Sequence, residues 1–129
     1  MTDTTTSVRK ALRRLLANGP LIAMPRRPRD AELLLGLAAA RFKAGLTYGE
    51  HEVNELLLAW LETISAPYGI DHVSLRRHLV DAQFLLRDPS GSAYWVSVTK
   101  ARPSVDVDPA QVLADIRRDR DARKRQHAK

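Results

Sequence analysis

Between residues 47 and 98 the hydrophobic period changes from helical to strand-like, and that change limits the fold more than any other feature of the chain. LTYGEHEVNELLLAWLETI, SAPYGI, DHVSLRRHLVDAQ and FLLRDPSGSAYWVSV read in turn as a helix, a turn, a second helix and a hairpin. Apolar residues at three- and four-residue spacing argue for the helices, and alternation argues for the strands. The order predicts an α+β, winged helix-turn-helix-like domain, mostly helical with a small antiparallel wing hairpin. Val73 to Asp81 then takes the place of a recognition helix feeding into the wing.

The helices carry their own start signals. Thr47 and Glu50 have the spacing of a capping box, in which hydroxyl and carboxylate each satisfy a free backbone amide. Val53, Leu56, Leu57, Trp60, Leu61 and Ile64 then share one face, and Glu52, Glu55 and Glu62 fall outside it. Asp71 is placed to cap the helix from His72 to Ala82. At about 100° per residue, Val73, Leu75, Leu79, Val80 and Ala82 define its inner arc, and Ser74, Arg77, His78 and Asp81 stand opposite. Arg76 falls within the apolar arc, so it reads as structural, its stem packed and its guanidinium paired to Glu52 or Asp81. Arg77 is the free one. Phe84 to Arg87 and Ala93 to Val98 alternate as two strands around the turn Asp88-Pro89-Ser90-Gly91. In the right register Phe84 and Leu86 share a face with Tyr94, Val96 and Val98.

Upstream, residues 1–6 read as a disordered tail. Ser7 can cap a helix with an apolar stripe of Val8, Ala11, Leu12, Leu15 and Leu16, stopped by Asn18-Gly19-Pro20. Leu21 to Met24 reads as a strand pairing with the wing. Pro25 and Pro28 enforce an extended segment that projects Arg26, Arg27 and Arg29. Asp30 caps a further helix, Ala31 to Ala44, which Gly45 ends. The domain is expected over residues 7–102. Residues 103–129 form a linker and a charged helical tail, with Pro109 in the first turn and Val112, Leu113 and Ile116 available for docking.

Composition excludes more than it selects. With 129 residues and no cysteine, the chain suits one core and offers no disulfide, thiolate zinc site or cysteine nucleophile. No apolar run reaches the roughly 20 residues that cross a bilayer, and no signal-like stretch opens the sequence. A cytoplasmic protein without membrane insertion is expected. The net charge of +6 is unevenly placed. Val8 to Arg29 holds Arg9, Lys10, Arg13, Arg14, Arg26, Arg27 and Arg29 and no acid, whereas acids outnumber bases between Asp30 and Asp108.

Enzymatic readings find no support. His51-Glu52 lacks a second histidine at the spacing of a zinc motif. His72 and His78 do not share a helix face well, and no glycine-rich phosphate loop exists. No enzyme, cofactor or metal is therefore expected. Duplex DNA is the sharpest partner. Ser74, Arg77 and His78 would read bases, and Arg26, Arg27, Arg29, Lys100 and Arg102 would hold the backbone. Against it stand Asp81 on the reading edge, four glutamates (Glu50, Glu52, Glu55, Glu62) on the preceding helix, and a wing tip without a cation. The alternative is a non-catalytic interaction module, in which the N-terminal helix or the tail forms a homodimer or docks on a partner.

MPRRPRDAELLLGLAAARFKAG, LTYGEHEVNELL and DHVSLRRHLVDAQFLLRDPSGSAYW together resemble the prokaryotic DUF2087 family. Its pattern joins a proline and basic segment, a Tyr-x-Glu-x-Glu-Val-Asn helix, an Arg-Arg-x-Leu-Val-Asp helix and a Gly-x-x-Tyr-Trp hairpin. The likeness covers about residues 21 to 97. It falls on Tyr48, Glu50, Glu52, Val53, Asn54, Arg76, Arg77, Leu79, Val80, Asp81, Gly91 and Tyr94. The resemblance implies no catalytic role for any of them. It implies either a transcriptional regulator, as some members are described, or a partner or sensor module beside a separate DNA-reading domain.

Overall fold

The structure, a computed structural model, describes residues 2–100 and 107–127, with side chains from 6 to 100 and from 107 to 126. Among these residues it is α+β, with five helices and one small antiparallel sheet. The order is α1 (Thr2–Leu15), α2 (Pro28–Ala39), β1 (Tyr48–Gly49), α3 (Glu50–Ile64), α4 (His72–Asp81), β2 (Leu85–Arg87), β3 (Ala93–Val96) and α5 (Pro109–His127). The sheet runs β1-β3-β2.

α1 buries Leu12 and Leu16 completely. It starts at Thr2, so Ser7 lies within the helix and does not cap it. The expected strand at Leu21 to Met24 is absent. Leu21 instead makes a lone parallel bridge with Ser65, its N–H donating to Ile64 at 2.8 Å and its carbonyl accepting from Ala66 at 2.8 Å. The strand that pairs with the wing is β1, where Tyr48 faces Tyr94 and Gly49 faces Ala93. Gly69 closes over the bridge. A β-carbon there would lie 2.6 Å from both the Leu21 carbonyl and the Ser65 hydroxyl.

α2 begins at Pro28, whose fixed φ suits a first helical position and whose missing N–H costs nothing there. Asp30 is therefore not its cap. It sits in the first turn, where a carboxylate complements the helix dipole, and accepts from Arg14 at 3.1 Å. α2 ends at Ala39 rather than Ala44, because Phe42 folds into the core edge-on to Tyr48, with ring centroids 5.2 Å apart. The Tyr48 hydroxyl accepts from the Lys43 amide at 2.9 Å.

The start of α3 lies two residues beyond the box read from Thr47 and Glu50, and only the carboxylate half of such a box forms, because the N-cap Gly49 has no side chain. Tyr48 and Gly49 are drawn into the sheet, so the helix cannot start before Glu50. The Glu52 carboxylate accepts from the Gly49 N–H at 3.0 Å, and Thr47 is exposed. Val53, Leu57, Trp60, Leu61 and Ile64 are buried as the periodicity predicts. α4 is capped by Asp71, which accepts from the Ser74 amide at 2.8 Å, and buries Leu75 and Leu79.

The hairpin exists, one residue out of the expected phase. Leu85 pairs with Val96, Leu86 with Trp95 and Arg87 with Tyr94, so the inward face carries Leu85, Tyr94 and Val96. Phe84 is buried too, but as a corner residue. Gln83 turns the chain at φ 65°, and the Phe84 amide donates to Leu79 at 2.9 Å, which moves the strand's start to Leu85. Leu86 lies on the outer face, and Val98 is exposed beyond the end of β3. At the tip Asp88 accepts from the Ser92 amide at 2.8 Å and the Ala93 amide at 3.2 Å, while Gly91 takes the left-handed φ of 74° that the turn requires.

α5 docks through Val112 and Ile116. It packs on α1 and α3, and α4 packs on α2, α3 and β2. Arg13 pairs with Asp119, and Arg120 donates to the Ala17 carbonyl, tying α5 to α1. From Arg117 to Gln126 it is exposed on every side.

Candidate functional site

α4 divides its residues between core and solvent. With Leu75 and Leu79 turned inward, Arg77, His78 and Asp81 come out on the exposed edge. Nothing in the described chain lies over that edge, since α5 lies along α1 and α3 instead. Ser74 joins the edge only in part. Its hydroxyl donates to Asp71 at 2.8 Å, so it completes the cap.

Arg76 points the other way, as its place in the apolar arc predicts. Its side chain is 16% exposed and donates to the Asn54 side-chain oxygen, with Glu50 3.4 Å away. The expected partners were Glu52 or Asp81, and neither is used. Glu52 is turned back on Gly49, and Asp81 belongs to the outer edge. Glu50 and Asn54, one helical turn apart on α3, face α4 in their place. The guanidinium also lies 6.0 Å from the centre of the Tyr94 ring. Glu50 is therefore structural, though through Arg76 and not through a capping box.

Between α4 and the hairpin opens a cleft of about 400 Å³, lined by Arg76, Arg77, Val80, Asp81, Arg87 and Tyr94. Arg87 is the residue that sequence reasoning did not assign to the site. The Asp88 carboxylate is occupied elsewhere. The Ser92 hydroxyl, with the Ala93 amide, the Ser90 hydroxyl and the Ser92 amide, holds it down to about 2. Among the described residues the side chains of Arg77, His78 and Arg87 find no hydrogen-bond or ion-pair partner. Arg87 could have been found only from the register that sets it opposite Tyr94.

The other expected contacts are not gathered at this cleft. Arg26 and Arg27 are exposed ahead of α2, Arg29 is exposed in its first turn, and none of them lines it. Lys100 reaches Glu32 at 3.8 Å and lies 4.9 Å from the centre of the Phe84 ring. Arg102 lies outside the described residues. No three His, Asp or Glu side chains among the described residues are grouped to hold a metal ion. No helix among them is long and apolar enough to cross a membrane.

Residues 20–96 match the sequence profile of DUF2087, described as an uncharacterized protein conserved in bacteria. The chain belongs to this family. The match runs from just before Leu21 to the end of β3, so the α4 edge, the cleft and the hairpin are parts of the DUF2087 domain, while α1 and α5 flank it. Neither a curated protein nor a solved structure matches the chain.

Proposed function

We propose that this DUF2087 chain is a winged-helix DNA-binding transcriptional regulator that reads duplex DNA with α4. The observation that carries this reading is the succession α2-β1-α3-α4-β2-β3 around a sheet ordered β1-β3-β2, with the Arg77–His78–Asp81 edge of α4 left uncovered. In that topology α4 is the recognition helix and the β2–β3 hairpin is the wing. A major groove about 12 Å wide admits a helix, and its base edges carry donors and acceptors that Arg77 and His78 can address. Arg87 stands on the hairpin beside them, unpaired among the described residues, as a contact to the backbone.

The test is fluorescence anisotropy of the whole chain on labelled duplex DNA across a salt series. Arg77→Ala is expected to weaken binding by about 1–3 kcal/mol. Absence of binding at low salt ends the reading. Binding that ignores Arg77 but disappears on replacing Arg9, Lys10, Arg26 and Arg27 moves the contact to the basic flank.

One observation favours a second reading, a non-catalytic dimerisation module. Leu46, Leu86 and Val98 are exposed around Trp95 on the outer face of the sheet, lining a depression of about 540 Å³ without a charged residue. An uncharged apolar face is compatible with a second copy of itself. Sedimentation equilibrium with Val98→Asp separates the two readings.

A further inference from the structure

The cleft between α4 and the hairpin has a floor that α4 reading a groove does not call for. Tyr94 is 1% exposed, yet its hydroxyl makes no hydrogen bond among the described residues. No side-chain nitrogen or oxygen among the described residues is both sealed from solvent and without a partner. The small part of Tyr94 that remains accessible therefore includes the hydroxyl, and the cleft is the opening that Tyr94 lines. A nearly buried hydroxyl without a protein partner bonds whatever polar group, water or ligand, fills the space in front of it.

That space has a definite charge. Arg87 is the direct cross-strand neighbour of Tyr94, which puts the two side chains on one face of the sheet. Arg77 enters from α4, and neither guanidinium has a partner among the described residues. Arg76 is already matched by Glu50. Asp81 contributes one negative charge against the two open positive ones, so the cleft is net cationic. Its donors come from three elements of side chain: two planar forks and a hydroxyl below. A planar carboxylate engages one fork well, whereas a tetrahedral oxyanion offers oxygens to all three.

We propose that this cleft is a phosphate-binding site, with Arg77 and Arg87 clasping the oxyanion and the Tyr94 hydroxyl donating to it. The inference goes beyond DNA reading, since the phosphate can belong to a duplex backbone or to a free phosphate compound. Asp81 opposes the anion and sets the affinity below what two arginines alone would give.

The experiment is a titration of the full chain with sodium phosphate, followed by ¹H–¹⁵N NMR of arginine Nε–H and backbone amides, against sodium chloride at equal ionic strength. Phosphate is expected to shift Arg77, Arg87 and hairpin signals with a Kd on the order of a millimolar, as for a weak three-contact site. Arg87→Ala should weaken it about tenfold and Tyr94→Phe, which keeps the ring and the fold, about fivefold. Asp81→Asn should tighten it by a few-fold. Equal shifts in chloride, or phosphate affinity indifferent to both Arg87→Ala and Tyr94→Phe, overturn the proposal. Duplex DNA that displaces phosphate identifies the backbone as the source, and duplex that binds with phosphate still seated identifies a free ligand. No phosphate binding alongside Arg77-dependent DNA binding removes this site and leaves the DNA reading intact. Phosphate binding without any DNA binding does the reverse.

Discussion

Two adjacent arginines should behave oppositely when truncated. Arg76→Ala removes a guanidinium that is 16% exposed, bonded to Asn54 and 3.4 Å from Glu50. A charge-assisted hydrogen bond in a partly buried place contributes about 1.5–3 kcal/mol. The Glu50 partner is 56% exposed, so that ion pair adds only about 0.2–1 kcal/mol. The contact with the Tyr94 ring adds about 0.5–1 kcal/mol. These effects share one side chain and are not independent, which sets the expected loss near 3 kcal/mol. For a domain of this size that lowers Tm by roughly 10–15 °C. Arg77→Ala removes an exposed side chain without a partner among the described residues and should stay within about 0.5 kcal/mol of the parent. Thermal unfolding followed by circular dichroism measures both, and a double-mutant cycle with Asn54→Ala should return a positive coupling. Equal destabilisation by the two variants would mean that α4 is rotated from the phase described, and a zero coupling would remove Asn54 as the anchor.

Acid stability should depend on the hairpin tip. The Asp88 carboxylate is held at about 2 against an ordinary 3.8, chiefly by the Ser92 hydroxyl, so its contribution is complete above about pH 4 and is lost as pH falls toward 2. Asp71 is lowered for a similar reason, the Ser74 amide first, and acts in the same direction. Urea unfolding between pH 2 and 5 should show a shallower acid limb for Asp88→Asn than for the parent, and an unchanged limb would refute the assignment. Gly69→Ala should cost about 1–3 kcal/mol by forcing a β-carbon against the Leu21 carbonyl. Hydrogen exchange at the Ala66 amide, which donates to that carbonyl, should accelerate, and slow exchange retained in the variant would show that the loop yields elsewhere.

What could be read from the residues was whatever a single helix decides for itself. The buried face of α3, the Asp71 cap and the opposite fates of Arg76 and Arg77 all follow from a 3.6-residue period and a side chain two or three positions away. What could not be read depended on a second element. Arg76 chose Glu50 and Asn54 over Glu52 because the start of α3 is set by the sheet, which takes Tyr48 and Gly49 first. A two-residue strand has no alternation to detect, so β1 was invisible and Leu21 to Met24 was offered in its place. The hairpin slipped by one because Gln83 adopts a positive φ that its side chain does not demand, and Arg87 was missed with it. The cleft needs α4 and the hairpin in register together, and no local pattern encodes it.

The four glutamates of α3 were the strongest objection to a nucleic-acid role, and their placement weakens it. Glu50 is matched by Arg76, and Glu52 is spent on the Gly49 amide. Glu55 lies 2.9 Å from His51, and Glu62 sits far along α3, where it borders the groove under Pro67 and Ile70. None of them lines the cleft, whose one acid is Asp81. The basic flanks are equally localised. α1 and α5 pack on each other, and α2 and α3 are the helices that touch both this pair and α4. Part of their charge is internal, through Arg13 with Asp119, Arg14 with Asp30 and Arg118 with Asp115. Within the cleft itself the unmatched charges are Arg77 and Arg87 against Asp81, since Arg76 is matched by Glu50. Few phosphates can then be neutralised there, and a duplex held by this face alone should lose affinity only gently with salt. A steep salt dependence would instead require the α1–α5 layer to touch the duplex as well.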